Sequence, residues 1–190
     1  MEIVKPYYSL ITPGQIAGWT PDKQQQLAAS AVALINQRAD GHMFTYASDE
    51  IVPFLQGAHA AAVVAPDGNE LWAFGKLFPW HVATTLDGLH PVTRSAQGQI
   101  PGVVELGALA VHPNKERQGL AHRIVAALVG QYHALYPPDI PLVAVVVNDN
   151  LASHQLFSHL PGCRPIDPNQ LPIDILDGWK PPSTVFRLTG

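Results

Sequence analysis

A single cysteine, Cys163, in 190 residues leaves the chain no internal disulfide, which agrees with a reducing cytoplasm. Basic residues are scarce as well: 11 Lys and Arg against 15 Asp and Glu give a formal charge of −4. A nucleic-acid surface needs a concentrated basic patch, so no nucleic-acid partner is expected. Missing too is any apolar run long enough to cross a bilayer, and the opening MEIVKPYYSL lacks a basic stretch leading into an apolar core. Neither a membrane partner nor a secretory signal is expected, and the predicted location is cytoplasmic. Nine histidines are present, but none falls in an H-E-x-x-H or Cys/His cluster. His154 and His159, five apart, face different sides of a helix, so no metal is expected. Cys163 lacks the base and electropositive setting of a nucleophile and reads as a small packed side chain. No internal repeat or low-complexity stretch is visible.

What is present suits one domain spanning residues 1–190: 47% apolar and 14% charged residues are enough to bury a core. Mild acidity suits a cationic substrate and is equally ordinary for a soluble protein. In chain order, Ile3 to Leu10 read as a strand ended by Thr12-Pro13-Gly14. Thr20 then caps a helix, with Pro21 at its first position and Leu27, Ala31, Leu34 and Ile35 on one face, running to about Arg38. A shorter helix follows from Ser48 as cap through Gln56, and Pro66-Asp67-Gly68-Asn69 joins a hairpin from about Ala60 to Leu77. Between Phe78 and Gly102 no period is clear, which predicts a long loop of the functional or disordered kind. It holds Trp80, His81, His90 and Arg94; the alternative for these is an ordinary surface loop anchored by a tryptophan.

Val103–Val111 reads as a strand buried on both faces, with Gly107 marking a bulge or a close backbone approach. A polar turn opened by His112-Pro113 leads to a helix carrying Ala121, Ile124, Val125, Leu128, Tyr132 and Leu135 on one face, and Leu142–Val147 is a second buried strand. The three make a βαβ unit with a parallel pair. Asn148 or Asn150 caps a helix bearing Leu151, Leu156 and Phe157, ended by Pro161-Gly162, and Ser183–Leu188 closes the sheet. A helix that starts as the one after His112 does aims first-turn amides and a positive dipole end outward, a natural seat for a phosphate.

From Glu116 to Ala121 the residues Glu-Arg-Gln-Gly-Leu-Ala, fed by that strand and opening that helix, resemble the Q/R-x-x-G-x-G/A loop of the GCN5-related N-acetyltransferases. The second half of the family pattern follows, with Asn150 seven residues before Phe157 as the family's Asn stands before its Tyr. The likeness covers about Val103 to Cys163, with three departures. Glu116 stands where the family has Gln or Arg and brings a carboxylate toward a pyrophosphate. Phe157 replaces the tyrosine, and Leu160-Pro161-Gly162-Cys163 carries one extra residue.

The resemblance implies a mixed α/β fold, a central sheet of about six to seven strands flanked by helices, and an enzyme that takes acetyl-CoA as acyl donor and a small-molecule or peptide amine as acceptor. A homodimer is one assembly it allows. By the same likeness, the backbone of Leu109, Ala110 and Val111 would pair with pantetheine, and Arg117, Gln118, Gly119, Leu120 and Ala121 would hold the pyrophosphate. Arg117 and Arg123 would add charge, unless they are ordinary solvated helix-end arginines. Asn150 and Phe157 complete the expected cofactor set, and Phe157 reads equally as a core aromatic. Substrate residues are expected at Tyr46, Trp80 and His81, near His42. Glu105, the one charged side chain in the central strand, is the candidate base, partial burial making it the better acceptor; otherwise it is ion-paired or edge-exposed. Departure of the thiolate needs no acid, or takes one from His154, Tyr132 or water. The rival to an N-acetyltransferase is a non-catalytic acyl-CoA-binding or interaction module with the same fold.

Overall fold

Short runs of alanine, valine and aromatics set the strands, and amphipathic stretches bounded by Pro, Thr and Asn set the helices. The computed structural model describes residues 8–38, 45–85, 88–92, 101–172, 175–176 and 181–188. In chain order these form β1 (Ser9–Ile11), α1 (Pro13–Ala17), α2 (Pro21–Gln37), α3 (Ser48–Gln56), β2 (Ala60–Val64), β3 (Leu71–Thr85) and β4 (Gly88–Val92). After them come β5 (Val103–Val111), α4 (Leu120–Leu135), β6 (Leu142–Val147), α5 (Leu151–His159), β7 (Cys163–Ile166) and β8 (Ser183–Leu188). Hydrogen bonding orders the strands β1-β2-β3-β5-β6-β8-β7, with β4 added on β3. The sheet is mixed and helices accompany it, as expected, with seven strands along this path and β4 beside it on β3. Among the described residues, no helix is long and apolar enough to cross a membrane.

The chain divides into two compact units, Met1–Lys76 with Ala108–Gln131, and Leu77–Gly107 with Tyr132–Gly190. In the first, β1-β2-β3 is an antiparallel ladder in which Ala60 pairs with Lys76 and Ala62 with Phe74. Helices α1 to α3 bury Ile16, Leu27, Ala31, Leu34, Ile35, Ile51 and Leu55 in one cluster with Ala60, Ala62, Phe74 and Ala110. Helix α4 approaches β3 where Gly75 has no side chain: a Cβ there would lie 2.6 Å from Ile124 Cγ2. In the second unit, β5 and β6 run parallel, Val104 beside Leu142 and Glu105 beside Val143, while β8 is antiparallel to both β6 and β7. Val103, Val143, Ile175 and Val185 form its apolar cluster.

Several expectations change. Strand β1 is Ser9–Ile11; residues 1–7 lie outside the described set. The strand ends at Ile11, before Thr12-Pro13-Gly14 as expected, and those residues open α1. Gln15 Oε1 accepts from the Thr12 N–H at 2.9 Å and from its hydroxyl at 3.0 Å, a capping pattern that Gly14 obscures in the sequence. Ala47, not Ser48, occupies the N-cap of α3, and its N–H reaches Glu50 Oε2 at 2.7 Å. Of the predicted loop 78–102, the described residues 78–85 belong to β3, which pairs with β4 from His81–Val92 to Thr85–Gly88; residues 86–87 and 93–100 lie outside the described set. Pro79 and Pro91 hid the β-branched run of Val82, Thr84 and Thr85.

Candidate active site

The first half of the expected site lies in the first unit. Strand β5 turns left-handed for one residue at Ala108, φ 50°, one position after the glycine that predicted a bulge. Leu109, Ala110 and Val111 follow, with Ala110 buried and its neighbours half-buried. A single 3-10 turn, Pro113–Lys115, is closed by the Lys115 N–H on the His112 carbonyl at 2.8 Å. Glu116 is extended, Arg117 has φ 59° and Gly119 φ 74°. Residues 116 to 119 are exposed, and buried Leu120 starts α4 beside half-buried Ala121. Repeated entry into the left-handed region curls a backbone so that its amides can converge on an anion, and first-turn helix amides lack an intrahelical acceptor.

Glu116, the residue that departs from the family loop, does not stand there as a bare anion. Its Oε1 lies 2.7 Å from Arg38 Nη2, a guanidinium delivered by the C-cap of α2. Both side chains are exposed, 38% and 46%, so the pair contributes little stability, but it offsets the charge beside the turn. Nothing in the sequence links two residues so far apart. Arg123 stacks over the Tyr8 ring at 5.1 Å, and Lys115 lies 3.9 Å over Trp72.

In the second unit the candidate base is held on its strand. Glu105 is half-buried, and its Oε2 accepts a hydrogen bond from Trp80 Nε1 at 2.9 Å. Its other oxygen folds over Gly107, where an added Cβ would come within 3.2 Å of Oε1. The indole is itself packed, 4.8 Å from Phe78 and against the Val103–Val143 cluster. Trp80 was expected at the acceptor; what its polar atom meets is the carboxylate. His81, next along β3, points to the opposite face, is 6% exposed, and its Nδ1 has no hydrogen-bond partner among the described residues. Burial holds its pKa below the ordinary histidine value.

The remaining expected residues have structural contacts. Asn150 Oδ1 caps α5 by accepting from Ser153 N at 3.1 Å. Phe157 is 3% exposed and stacks on Phe186 at 5.8 Å, while His154 meets the same ring edge-on at 5.5 Å. The Tyr132 hydroxyl donates to the Ile140 carbonyl, and burial pushes its pKa up. Tyr46 is fixed by its backbone, whose N–H reaches Asn36 Oδ1 at 3.1 Å, and its ring lies 4.2 Å from Lys76 Nζ. Phe54 lies 3.9 Å from the same ammonium. Lys76, 1% exposed, is a buried cation that sequence reasoning passed over; its one signal was a lysine inside the apolar run Trp72 to Phe78. His42 and Arg94 lie outside the described residues. Among the described residues, no three His, Cys, Asp or Glu gather into a group able to hold a metal ion.

Residues 98–166 match the family model of FR47-like protein. No curated protein matches the sequence. Among solved structures, N-acetylglutamate synthase from Neisseria gonorrhoeae, complexed with coenzyme A and N-acetyl-glutamate, aligns with a TM-score of 0.59 at 14% identity. That alignment covers 98% of this chain and 36% of the synthase, so the chain spans about a third of its length. Arabidopsis thaliana Naa50, in complex with the bisubstrate analogue CoA-Ac-MVNAL, gives a TM-score of 0.56 at 12% identity over 97% of this chain and 99% of that one. The ribosomal-protein-S18-alanine N-acetyltransferase from Escherichia coli gives 0.54 at 17% identity over 95% and 92%. At such identities the likeness shows the fold: the chain has the fold of the GCN5-related N-acetyltransferases, and its segment on β5, α4, β6 and α5 is similar to the FR47-like family model.

Proposed function

We propose that the chain is an acyl-CoA-dependent N-acyltransferase that moves the acetyl group of acetyl-CoA directly to a primary amine of a small molecule or peptide. The observation that carries this reading is the exposed turn at residues 116–119, with Arg117 and Gly119 both left-handed, at the head of a 16-residue helix. A non-glycine residue held there costs on the order of 1–3 kcal/mol, and such strain gathers where function requires it. In this reading the amides of Arg117, Gln118, Gly119, Leu120 and Ala121 hold the pyrophosphate, with Arg117 and Arg123 adding charge. The backbone of Leu109, Ala110 and Val111 pairs with pantetheine as an added strand would, and Asn150 and Phe157 complete the proposed cofactor-binding set. Relatives of the fold crystallised with coenzyme A support the same donor.

The donor supplies a thioester, so a C–N bond forms as a C–S bond breaks, and one proton must leave the nitrogen. An alkylammonium ion is almost wholly protonated at neutral pH, and Glu105 takes that proton, directly or through water, and passes it to solvent. Phe157 has no hydroxyl, and the hydroxyl of Tyr132 is given to Ile140. The thiolate leaves as an anion and takes its proton from water or from His154, which a thiol pKa of about 8.5 permits. Of the residues expected at the acceptor, Tyr46, Trp80 and His81, it is Trp80 whose contact with Glu105 ties it to the chemistry.

Thermal unfolding with and without acetyl-CoA tests the donor site. At a concentration 100 times Kd a ligand of the folded state adds about 2.7 kcal/mol, worth roughly 5–10 °C in a chain of this length. No shift at millimolar acetyl-CoA, repeated with longer acyl-CoAs, refutes the donor site. The phenylalanine stacked in the core at position 157 favours a second reading, a module that binds acyl-CoA without turning it over. Free-thiol release separates the two. A module releases none with L-glutamate, or with peptides beginning in Ala or Met, although the thermal shift is present.

A further inference from the structure

We infer that Trp80 is the positioning residue of Glu105: it orients the carboxylate that accepts the amine proton, and Gly107 leaves the room for that orientation. The inference rests on Glu105 being the base. Three observations carry it. The indole N–H is donor-only, and it meets Glu105 Oε2 at 2.9 Å. The ring cannot swing freely, because Phe78 lies 4.8 Å from it and the cluster of Val103, Val143, Ile175 and Val185 packs against it. On the strand, two residues beyond Glu105 on the same face, Gly107 leaves the space over which Oε1 lies; a methyl group there would come within 3.2 Å of that oxygen. A carboxylate anchored through one oxygen by an immobile donor keeps its direction whether or not it carries a proton, which a base that must load and unload once per turnover requires. Misplacement of a reacting group by about 1 Å can cost on the order of 100-fold in rate, so the direction this hydrogen bond gives the carboxylate matters.

Two readouts test this. The first needs no acceptor. The four tryptophans give up to four indole N–H signals in a 15N-labelled protein, and Trp80→Phe identifies one of them by its loss. In Glu105→Gln that signal moves upfield, because a charged acceptor has become a neutral one, while the others stay. A Trp80 signal indifferent to Glu105→Gln overturns the inference, whatever the activity.

The second readout is kcat for thiol release with the best acceptor among L-glutamate and the Ala and Met peptides. Glu105→Gln lowers kcat by about 100-fold or more, as loss of a general base does. Trp80→Phe and Gly107→Ala each lower it by about 10-fold with KM for acetyl-CoA unchanged, and neither lowers it further in the Glu105→Gln background. Equal losses in both backgrounds show Trp80 acting apart from Glu105 and overturn the inference, as does an unchanged kcat in Trp80→Phe. If Trp80→Phe fails to fold, Gly107→Ala tests the same carboxylate from its other side. An unchanged kcat in Glu105→Gln overturns the base itself, a different failure, and the indole signal still reports whether the anchor exists.

Discussion

Gly119→Ala separates what the turn before α4 costs the fold from what it does for a ligand. Gly119 has φ 74°, and a Cβ built on it meets nothing within 4 Å, so the methyl group is not a steric problem for the protein. The penalty is conformational: an L-residue in the left-handed region costs roughly 1–2 kcal/mol. In a chain of this size that lowers Tm by roughly 2–8 °C. The empty space around that position is the space the proposed pyrophosphate uses, and a methyl group there keeps oxygens from the amides. The rise in Tm on adding saturating acetyl-CoA to wild type should therefore shrink in the variant by at least half, beyond the drop of the free protein. Differential scanning fluorimetry across a concentration series gives both quantities. If the free protein loses those degrees while the acetyl-CoA shift stays intact, the turn is strained for a reason other than phosphate, and the assignment of Arg117 to Ala121 fails.

Gly75→Ala puts a Cβ 2.6 Å from Ile124 Cγ2 and 3.2 Å from Leu128 Cδ1, so it should destabilise by about 1–3 kcal/mol in chemical denaturation with the acetyl-CoA shift retained. An unchanged midpoint would mean α4 does not lie on β3 as described. Glu116→Gln breaks an exposed pair with Arg38 and should change stability by less than about 1 kcal/mol. By removing a carboxylate beside the turn it should tighten acetyl-CoA binding; weaker binding in calorimetry counts against the phosphate site. Burial raises the Cys163 thiol from 9.0 to about 11. At pH 8 its thiolate fraction should be about 100-fold below that of a free thiol, and iodoacetamide should react slowly until the chain unfolds. The sign for stability follows: the folded pKa is the higher one, so this contribution is intact below pH 9 and is lost as pH rises through about 11. Alkylation of the folded protein at the rate of an unfolded control would refute the burial.

Where one period ran uninterrupted, sequence and structure agree to a residue or so. Helix α2 starts after Thr20 and ends at Gln37, β6 is Leu142–Val147 and β8 is Ser183–Leu188. Local rules suffice there because the apolar stripe and the cap residues point the same way. They fail where proline sits in a strand: Pro79 in β3 and Pro91 in β4 concealed a hairpin whose partners decide its conformation. They fail again for contacts between distant residues. Trp80 was legible as a tryptophan in an ambiguous stretch and Glu105 as a charge in an apolar strand, but their hydrogen bond joins positions 25 apart. Arg38 was legible only as the end of a helix, and nothing local shows that it reaches Glu116.

The irregularity of β5 is the sharpest instance, because the sequence points to it and mistakes its form. Gly107 suggested a bulge or a close approach to the backbone, and the residue with φ 50° is its neighbour Ala108. The two neighbours divide the work. Gly107 omits a side chain so that Glu105 can fold over it, and the backbone turn falls on the next residue, which keeps its Cβ at a cost. Ala108→Gly tests this division. In a regular strand, alanine to glycine costs roughly 0.5–1 kcal/mol in chain entropy. At a position held left-handed, relief of roughly 1–2 kcal/mol of strain opposes that loss. The net should lie between zero and about 1.5 kcal/mol of stabilisation, so the sign of the change decides. A midpoint that holds or rises in urea unfolding supports the left-handed residue. A fall of about 1 kcal/mol is what an ordinary strand residue gives, and it would remove both the left-handed residue in β5 and the strain argument built on it.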